Sequence, residues 1–276
     1  MKPTQASLAT MHGKLDQIAP VFSEILGWEL LLADIDTDKF GSFDGLTPRT
    51  LTPRDAAIAK AKAGAEHLGT RFGLASEGTI GSHPAYPFMT SDMELIALVD
   101  LENDKVLVAS HVSPNIVAFK GELDPSTDLQ SIFLKCDLPN HAVNILAMID
   151  SKKEISKGIR DQEQLEEIVE AAWRSGASQI LVESDFRAMS SPSRQGNIIE
   201  CAKKLAARVA AQCPACSYFG WGVTSYEFGA RCIDCGFENQ QVAKREILGC
   251  ISCSHEERGA VLTASVSAAH CQLCNP

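Results

Sequence analysis

Eight of the ten cysteines in this 276-residue chain fall as four Cys-x-x-Cys pairs: Cys213 with Cys216, Cys232 with Cys235, Cys250 with Cys253, and Cys271 with Cys274. Two thiolates separated by two residues grip one tetrahedral ion from a tight knuckle. Two knuckles complete a closed structural zinc site, so eight thiolates suit two Zn2+. The stretches 217–231 and 254–270 have zinc-ribbon lengths. They favour pairing the first knuckle with the second and the third with the fourth, and leave a cross-braced pairing open. The metals would replace a hydrophobic core too small to hold residues 213–276 together. His255 and His270 lie beside knuckles, but four-thiolate sets leave them no vacancy. Cys136 and Cys201 stand alone and read as small buried apolar residues rather than nucleophiles.

Three segments before residue 212 carry more polar and glycine residues than packing needs. In the first, Thr10, His12 and Lys14 lie where a strand ends and a helix opens, and helix N-termini with a lysine favour phosphate. Read blandly, it is a solvated turn. In the second, Glu77 follows an apolar strand among glycines in the run 75–84. A carboxylate there can hold Mg2+ or Mn2+ or activate water, and its bland reading is a Gly-rich turn. The third spans 183–197. Glu183 and Asp185 share a side if the strand persists, as paired metal or acid–base groups do. Arg187 and Arg194 could clamp a phosphate, with Asn197 beside them. The rival is a structural ion-pair network. Asp34, Asp36 and Asp38 read as a solvated loop entrance, and His141 as a satisfied loop histidine.

These groups must be positioned by alternating strands and helices. Leu15, Ile18, Phe22, Ile25 and Leu26 follow helical spacing and stop at Gly27, with Pro20 either kinking the helix or marking its first turn. A strand over 28–35 follows. Thr52, Pro53 and Asp55 form a cap, a first-turn proline and a first-turn carboxylate for a helix running to Leu68. The patterning predicts a short buried strand over 72–75, a hairpin of 94–100 with 106–110, and extended segments at 131–135 and 142–149. It then predicts a helix ending at Gly176, a strand over 179–182, and a last helix opened by Ser191-Pro192. The expected fold class is α/β: a mixed-sheet α/β domain over 1–212, then a small double zinc-ribbon-like module over 213–276.

Composition bounds the partners. The chain has 25 Lys plus Arg against 35 Asp plus Glu, a net charge of -10, and neither part is basic. Each four-thiolate zinc adds about two negative charges. Nucleic-acid and anionic-membrane binding are therefore disfavoured. No run of 18 apolar residues occurs and the first residues lack the apolar core of a secretory signal, so the cytoplasm is the expected compartment.

Thr10-x-His12-Gly13-Lys14, Asp36-Thr37-Asp38-x-Phe40-Gly41, Ser76-Glu77-Gly78, Glu183-Ser184-Asp185-x-Arg187-Ala188 and the four knuckles together resemble an uncharacterised bacterial family of unknown function. In that family an asparagine commonly stands where this chain has Ser191. Over about residues 7–112 the chain also resembles the inosine-triphosphate pyrophosphatase-like fold, which opens on a Thr/Ser-x-Asn-x-x-Lys triphosphate turn. Thr10 and Lys14 fit, whereas His12 replaces the asparagine and the spacing is one residue shorter. The segment 55–61 is similar to that fold's Glu-Asn-Ala-x-x-Lys-Ala helix and puts Asp55 at a metal-ligand position, although capping its own helix explains Asp55 equally well. Glu77-Gly78 stands where the catalytic acid precedes a glycine.

The resemblance implies phosphoanhydride hydrolysis, with Glu77 and Asp55 holding Mg2+ while Lys14 binds phosphate. The expectation is a metal-dependent hydrolase of a phosphorylated small molecule, in its narrower form a nucleotide pyrophosphatase. The competing expectation is a non-enzymatic sensor of an anionic metabolite, or a scaffold whose zinc module contacts a partner protein.

Overall fold

A computed structural model describes residues 3–10, 13–37 and 51–276. Alternating buried residues place β1 (Gln5–Ala9), β2 (Glu29–Ala33), β3 (Phe72–Ser82), β4 (Thr90–Asp100) and β5 (Lys105–Ser113) in one mixed sheet of order β2-β1-β3-β4-β5. β1 runs parallel to β2 and β3, and β3, β4 and β5 form an antiparallel meander. Because side chains alternate across a strand, the sheet carries two cores. Leu8, Leu74, Ile96 and Leu98 face α1 (Leu15–Leu26) and α5 (Pro192–Ala210), meeting Ile18, Phe22, Ile198 and Leu205. Ala9, Ala33, Ala75 and Val99 face α2 (Pro53–Leu68) through Ala61 and Ile58.

The α1 and α2 expectations hold. Gly27 ends α1 in the left-handed region at φ 66°, and Pro20 lies inside the helix on its exposed side. Thr52 accepts the Asp55 N–H at 3.1 Å and donates its hydroxyl to Asp55 Oδ2 at 2.6 Å, a reciprocal cap. The buried stripe Ala56, Ala57, Ala61, Gly64 and Ala65 lets α2 lie almost backbone to backbone on the sheet. A Cβ on Gly73 would overlap the Ala61 carbonyl.

Two expectations change. The strand starting at Phe72 does not stop at residue 75. Every residue to Ser82 has a partner on β4, so cross-strand pairing carries the backbone through the glycines that suggested a turn. The segment 131–135, expected extended, lies in helix α3 (Leu129–Lys135), because Asp128 caps it by accepting the Gln130 N–H at 3.1 Å.

A second sheet, of order β6-β9-β7-β8, is antiparallel throughout and comprises β6 (Lys120–Leu123), β7 (Val143–Ile149), β8 (Lys152–Ile159) and β9 (Gln179–Ser184). With α3 and α4 (Gln162–Arg174) it encloses its own core around Ile145, Ile159, Leu165 and Ile180. The chain then returns through α5 to the first core, so the second sheet is inserted between β5 and the helix that completes the first.

The third layer is a long hairpin of β10 (Gly222–Cys232) and β11 (Glu238–Gly249), with β12 (Glu256–Val261) beside β11 and β13 (Ser265–Val266) beside β10. Phe219 and Ile251 pack against the α1/α5 core, Phe219 meets Phe72 with ring centroids 5.8 Å apart, and Tyr218 donates to Asp100 at 2.6 Å. The fold is thus α/β with mixed sheets and a cysteine-rich C-terminal module. Among the described residues, no helix is long and apolar enough to cross a membrane.

Candidate functional site

The four knuckles form two groups, Cys213, Cys216, Cys250 and Cys253, and Cys232, Cys235, Cys271 and Cys274, with the Sγ atoms of each group within 4.8 Å of one another. The pairing is first with third and second with fourth. The expected consecutive pairing is therefore corrected in favour of the cross-braced one, and the hairpin supplies the reason. Antiparallel pairing sets Gly222 opposite Gly249 and so brings together the knuckles that flank its open end. The second knuckle lies at the far tip, an 11-residue strand away, or roughly 35 Å at about 3.3 Å per residue. Sγ separations of 3.8 Å (Cys213–Cys253), 3.6 Å (Cys216–Cys250) and 3.7 Å (Cys235–Cys271) match the edge of about 3.8 Å of a tetrahedron with metal–sulfur bonds near 2.3 Å. Each group could hold a structural metal ion. His255 pairs instead with Glu257 at 2.9 Å and stacks on Trp221, and His270 meets Ser267 at 3.2 Å. Burial pushes the Cys136 thiol up to about 11 and the Cys201 thiol up to about 12, which leaves neither a ready nucleophile.

The second site lies where β1 ends and β3 continues past it. Lys14, 6% exposed, directs Nζ to Ser76 Oγ at 3.0 Å and stands 4.0 Å from Glu94 Oε2. Burial lowers its pKa to about 8 against the opposing pull of Glu94; Arg194, Glu77 and Lys60 also lie near enough to act on it. Arg194, from the first turns of α5, donates Nε to Glu94 Oε1 at 2.5 Å and Nη1 to the Phe186 carbonyl. A Cβ on Gly78, opposite Glu94 in register, would overlap this guanidinium, so the close approach requires glycine. Asn197 donates to Asp92 Oδ2 at 2.9 Å and to the Asn115 carbonyl at 3.0 Å. On the opposite face Lys60 of α2 meets Glu77 at 2.5 Å, both side chains nearly buried. The sheet's alternation therefore divides the cluster, with Glu77 and Lys60 on the α2 face and Ser76, Asp92, Glu94, Arg194 and Asn197 on the other. Lys14 bridges over the end of β1.

Of the sequence candidates, Lys14, Arg194 and Asn197 thus gather on one face of the sheet and Glu77 lies on the other, with Lys14 close enough to act on both. Thr10 stands half-buried at the end of β1, and His12 and Asp38 lie outside the described residues. Asp55 is exposed and engaged in its helix cap. β9 ends at Ser184, before Asp185. Glu183 turns to Lys120 across the strands at 3.7 Å, whereas the buried Asp185 takes Arg187 in bidentate fashion through Nε at 2.9 Å and Nη2 at 2.5 Å. That pair satisfies itself beside Gly158, the ion-pair network weighed as the rival reading.

Asp92, Glu94 and Lys60 did not stand out among the candidates. The available signal was two carboxylates at period two inside an otherwise apolar strand, and one lysine in a run of alanines.

Burial, reinforced by Glu94, raises the Asp92 pKa to about 6 despite the bond from Asn197. An unfolded aspartate titrates near 3.9. Between roughly pH 4 and 6 the folded state therefore holds the extra proton, and stability falls as pH rises through that window, by up to about 3 kcal/mol. Asp92→Asn should flatten this slope and leave the variant more stable than the parent above pH 7. Urea unfolding at several pH values checks it, and an unchanged slope would place the titration elsewhere.

A family model matches residues 60–276, and the chain belongs to that family, described as a domain of unknown function (DUF6671). No curated protein and no solved structure matches the chain.

Proposed function

We propose that the chain is a metal-dependent hydrolase of a phosphorylated small molecule, with a nucleoside triphosphate or diphosphate as the narrower substrate class. What supports this is the gathering of three enclosed cations, Lys14, Lys60 and Arg194, with Glu77, Asp92 and Glu94 at the C-terminal end of a parallel strand pair. Open α/β sheets bind ligands there.

Hard carboxylate oxygens suit Mg2+ or Mn2+. The buried Asp92 Oδ1 and Glu94 Oε2 lack hydrogen-bond partners, so the donor set fits such an ion. Asp92 and Glu94, which share one face of β4, would hold it, and when bound it would neutralise phosphate charge and acidify water. Lys14 and Lys60 take the phosphate oxygens, Arg194 fixes the Glu94 carboxylate, and Glu77 accepts the proton of the attacking water. Lys14 serves as a cation only below its pKa of about 8, so phosphate binding weakens above that pH. In this reading the two four-cysteine groups hold structural Zn2+, and the partner is a small phosphorylated ligand.

Purified protein with Mg2+ or Mn2+ should release phosphate or pyrophosphate from a nucleotide panel, and Glu77→Gln should lower the rate by about 10²–10⁴. No release at high enzyme concentration would defeat the proposal.

One observation favours an anionic-metabolite sensor instead: Glu77, the group that would accept the proton of the attacking water, is ion-paired with Lys60 at 2.5 Å. Stabilisation by a phosphorylated ligand without turnover supports that reading.

A further inference from the structure

The geometry points to a second catalytic site, in which Asp137, His141 and Ser193 form a relay that hydrolyses carboxylic esters through an acyl-serine. His141 Nδ1 lies 2.8 Å from Asp137 Oδ2, and Nε2 lies 2.9 Å from Ser193 Oγ. The tautomer follows from a third bond. The Ser193 backbone N–H, which can only donate, reaches the same Nε2 at 3.2 Å. Nε2 is therefore the unprotonated nitrogen and can accept the hydroxyl hydrogen, while Nδ1 carries its hydrogen toward the carboxylate. This is the protonation pattern a serine nucleophile needs.

The histidine is held rigidly. The Arg160 guanidinium donates to the carbonyls of Pro139, Asn140 and His141 on one side and to that of Met189 at 2.9 Å on the other, tying the histidine loop to the segment before α5. Ser193 is part-exposed as a residue while His141 is 6% exposed, so the serine reaches the surface where the imidazole is shielded. The Val117 N–H donates to Ser193 Oγ at 3.2 Å, which orients the hydroxyl. Ser193 also sits in the first turn of the 19-residue α5, where aligned peptide dipoles favour developing negative charge. Capping α5 alone would need only Nε2 and the backbone N–H. The hydroxyl at 2.9 Å and the carboxylate on Nδ1 are what a relay adds.

In the first step Ser193 Oγ bonds to the ester carbonyl carbon, its proton passes to His141 Nε2, and the alkoxide leaves with that proton. Water then attacks the acyl-serine, gives a proton to Nε2, and releases the carboxylic acid as Oγ is reprotonated. None of the three residues belongs to the Lys14 cluster, so this site stands or falls independently of the phosphoryl reading.

The test uses the full chain and an alkyl fluorophosphonate, followed by intact mass and peptide mapping. The expected result is one adduct on Ser193, formed as P–O replaces P–F, with p-nitrophenyl acetate hydrolysis lost in step with labelling. Ser193→Ala should remove the adduct, and His141→Gln should slow labelling about 100-fold or more. Asp137→Asn, at a half-exposed position and the variant least exposed to folding failure, should also slow it. No adduct on Ser193, or labelling of Asp137→Asn at the parent rate, overturns the proposal.

Discussion

Stripping metal from the Cys213/Cys216/Cys250/Cys253 group is expected to loosen the five-stranded sheet as well as the cysteine-rich module. That group sits at the open end of the β10/β11 hairpin, where the chain docks on the first core. Phe219 stacks on Tyr218 and meets Phe72 edge-on, Ile251 joins the α1/α5 core, and Tyr218 hydrogen-bonds the buried Asp100. Asp100 also takes Arg71 through both carboxylate oxygens. These bonds hold its carboxyl well below the usual range despite burial. Cys232 and Cys271 of the other group pack with Ala230, Val266 and Val242 in a small separate cluster.

Structural zinc contributes on the order of 10 kcal/mol to small metal-dependent folds. Cys253→Ser should therefore cost about 5 kcal/mol or more, a fall in Tm of at least about 10 °C at roughly 2–4 °C per kcal/mol. Hydrogen-exchange protection should drop across β3–β5. Cys235→Ser should halve the bound metal yet leave β3–β5 protected. Equal loss of protection in both variants would contradict the docking argument.

Arg194→Ala is expected to be the most damaging single change in the α/β part. Glu94 is fully buried and its principal partner is this guanidinium, so truncation strands a carboxylate away from water. Breaking a buried pair in this way costs about 3–5 kcal/mol, whereas removing both charges costs far less. Arg194→Met with Glu94→Met should accordingly recover most of the loss. Arg194→Lys should not, since one ammonium cannot serve Glu94 Oε1 and the Phe186 carbonyl in the same fork geometry. A denaturant double-mutant cycle reads the coupling, expected at about 2 kcal/mol or more. A value near zero would mean that Lys14, 4.0 Å away, supports Glu94 without help.

Local physics made much of the fold legible. Caps are short-range, so Gly27, Thr52 with Pro53, and Ser191-Pro192 mark helix boundaries that the structure reproduces. The turn at Asn103-Asp104 joins β4 and β5 as its residue types suggest, with Asp104 in the left-handed region at φ 49°. Legibility failed where pairing outweighed propensity. Glycines 78 and 81 signalled a turn, but an 11-residue ladder with β4 holds them in strand. At 129–135 the Asp128 cap outweighed the strand-like pattern of the apolar residues it precedes.

The candidate site divides in the same way. Lys14, Glu77, Arg194 and Asn197 carry types and local contexts that mark them in one dimension. Asp92, Glu94 and Lys60 gain meaning only from what faces them across the sheet and helix.

By itself the sequence determined the chemistry of its parts: eight thiolates in knuckles, capped helices alternating with strands, and cations and carboxylates at element ends. Residue type and spacing along the chain are sufficient for each of these. Tertiary structure alone decided which knuckles gather into one four-cysteine group, because an antiparallel hairpin holds the first and second apart and brings the first and third together. It alone placed Glu77 and Glu94 on opposite faces of one sheet, because strand alternation and register, not sequence proximity, determine which buried charges meet. It alone set Asp137, His141 and Ser193 in line, because a loop and a helix start 52 residues apart between His141 and Ser193 are joined only by folding.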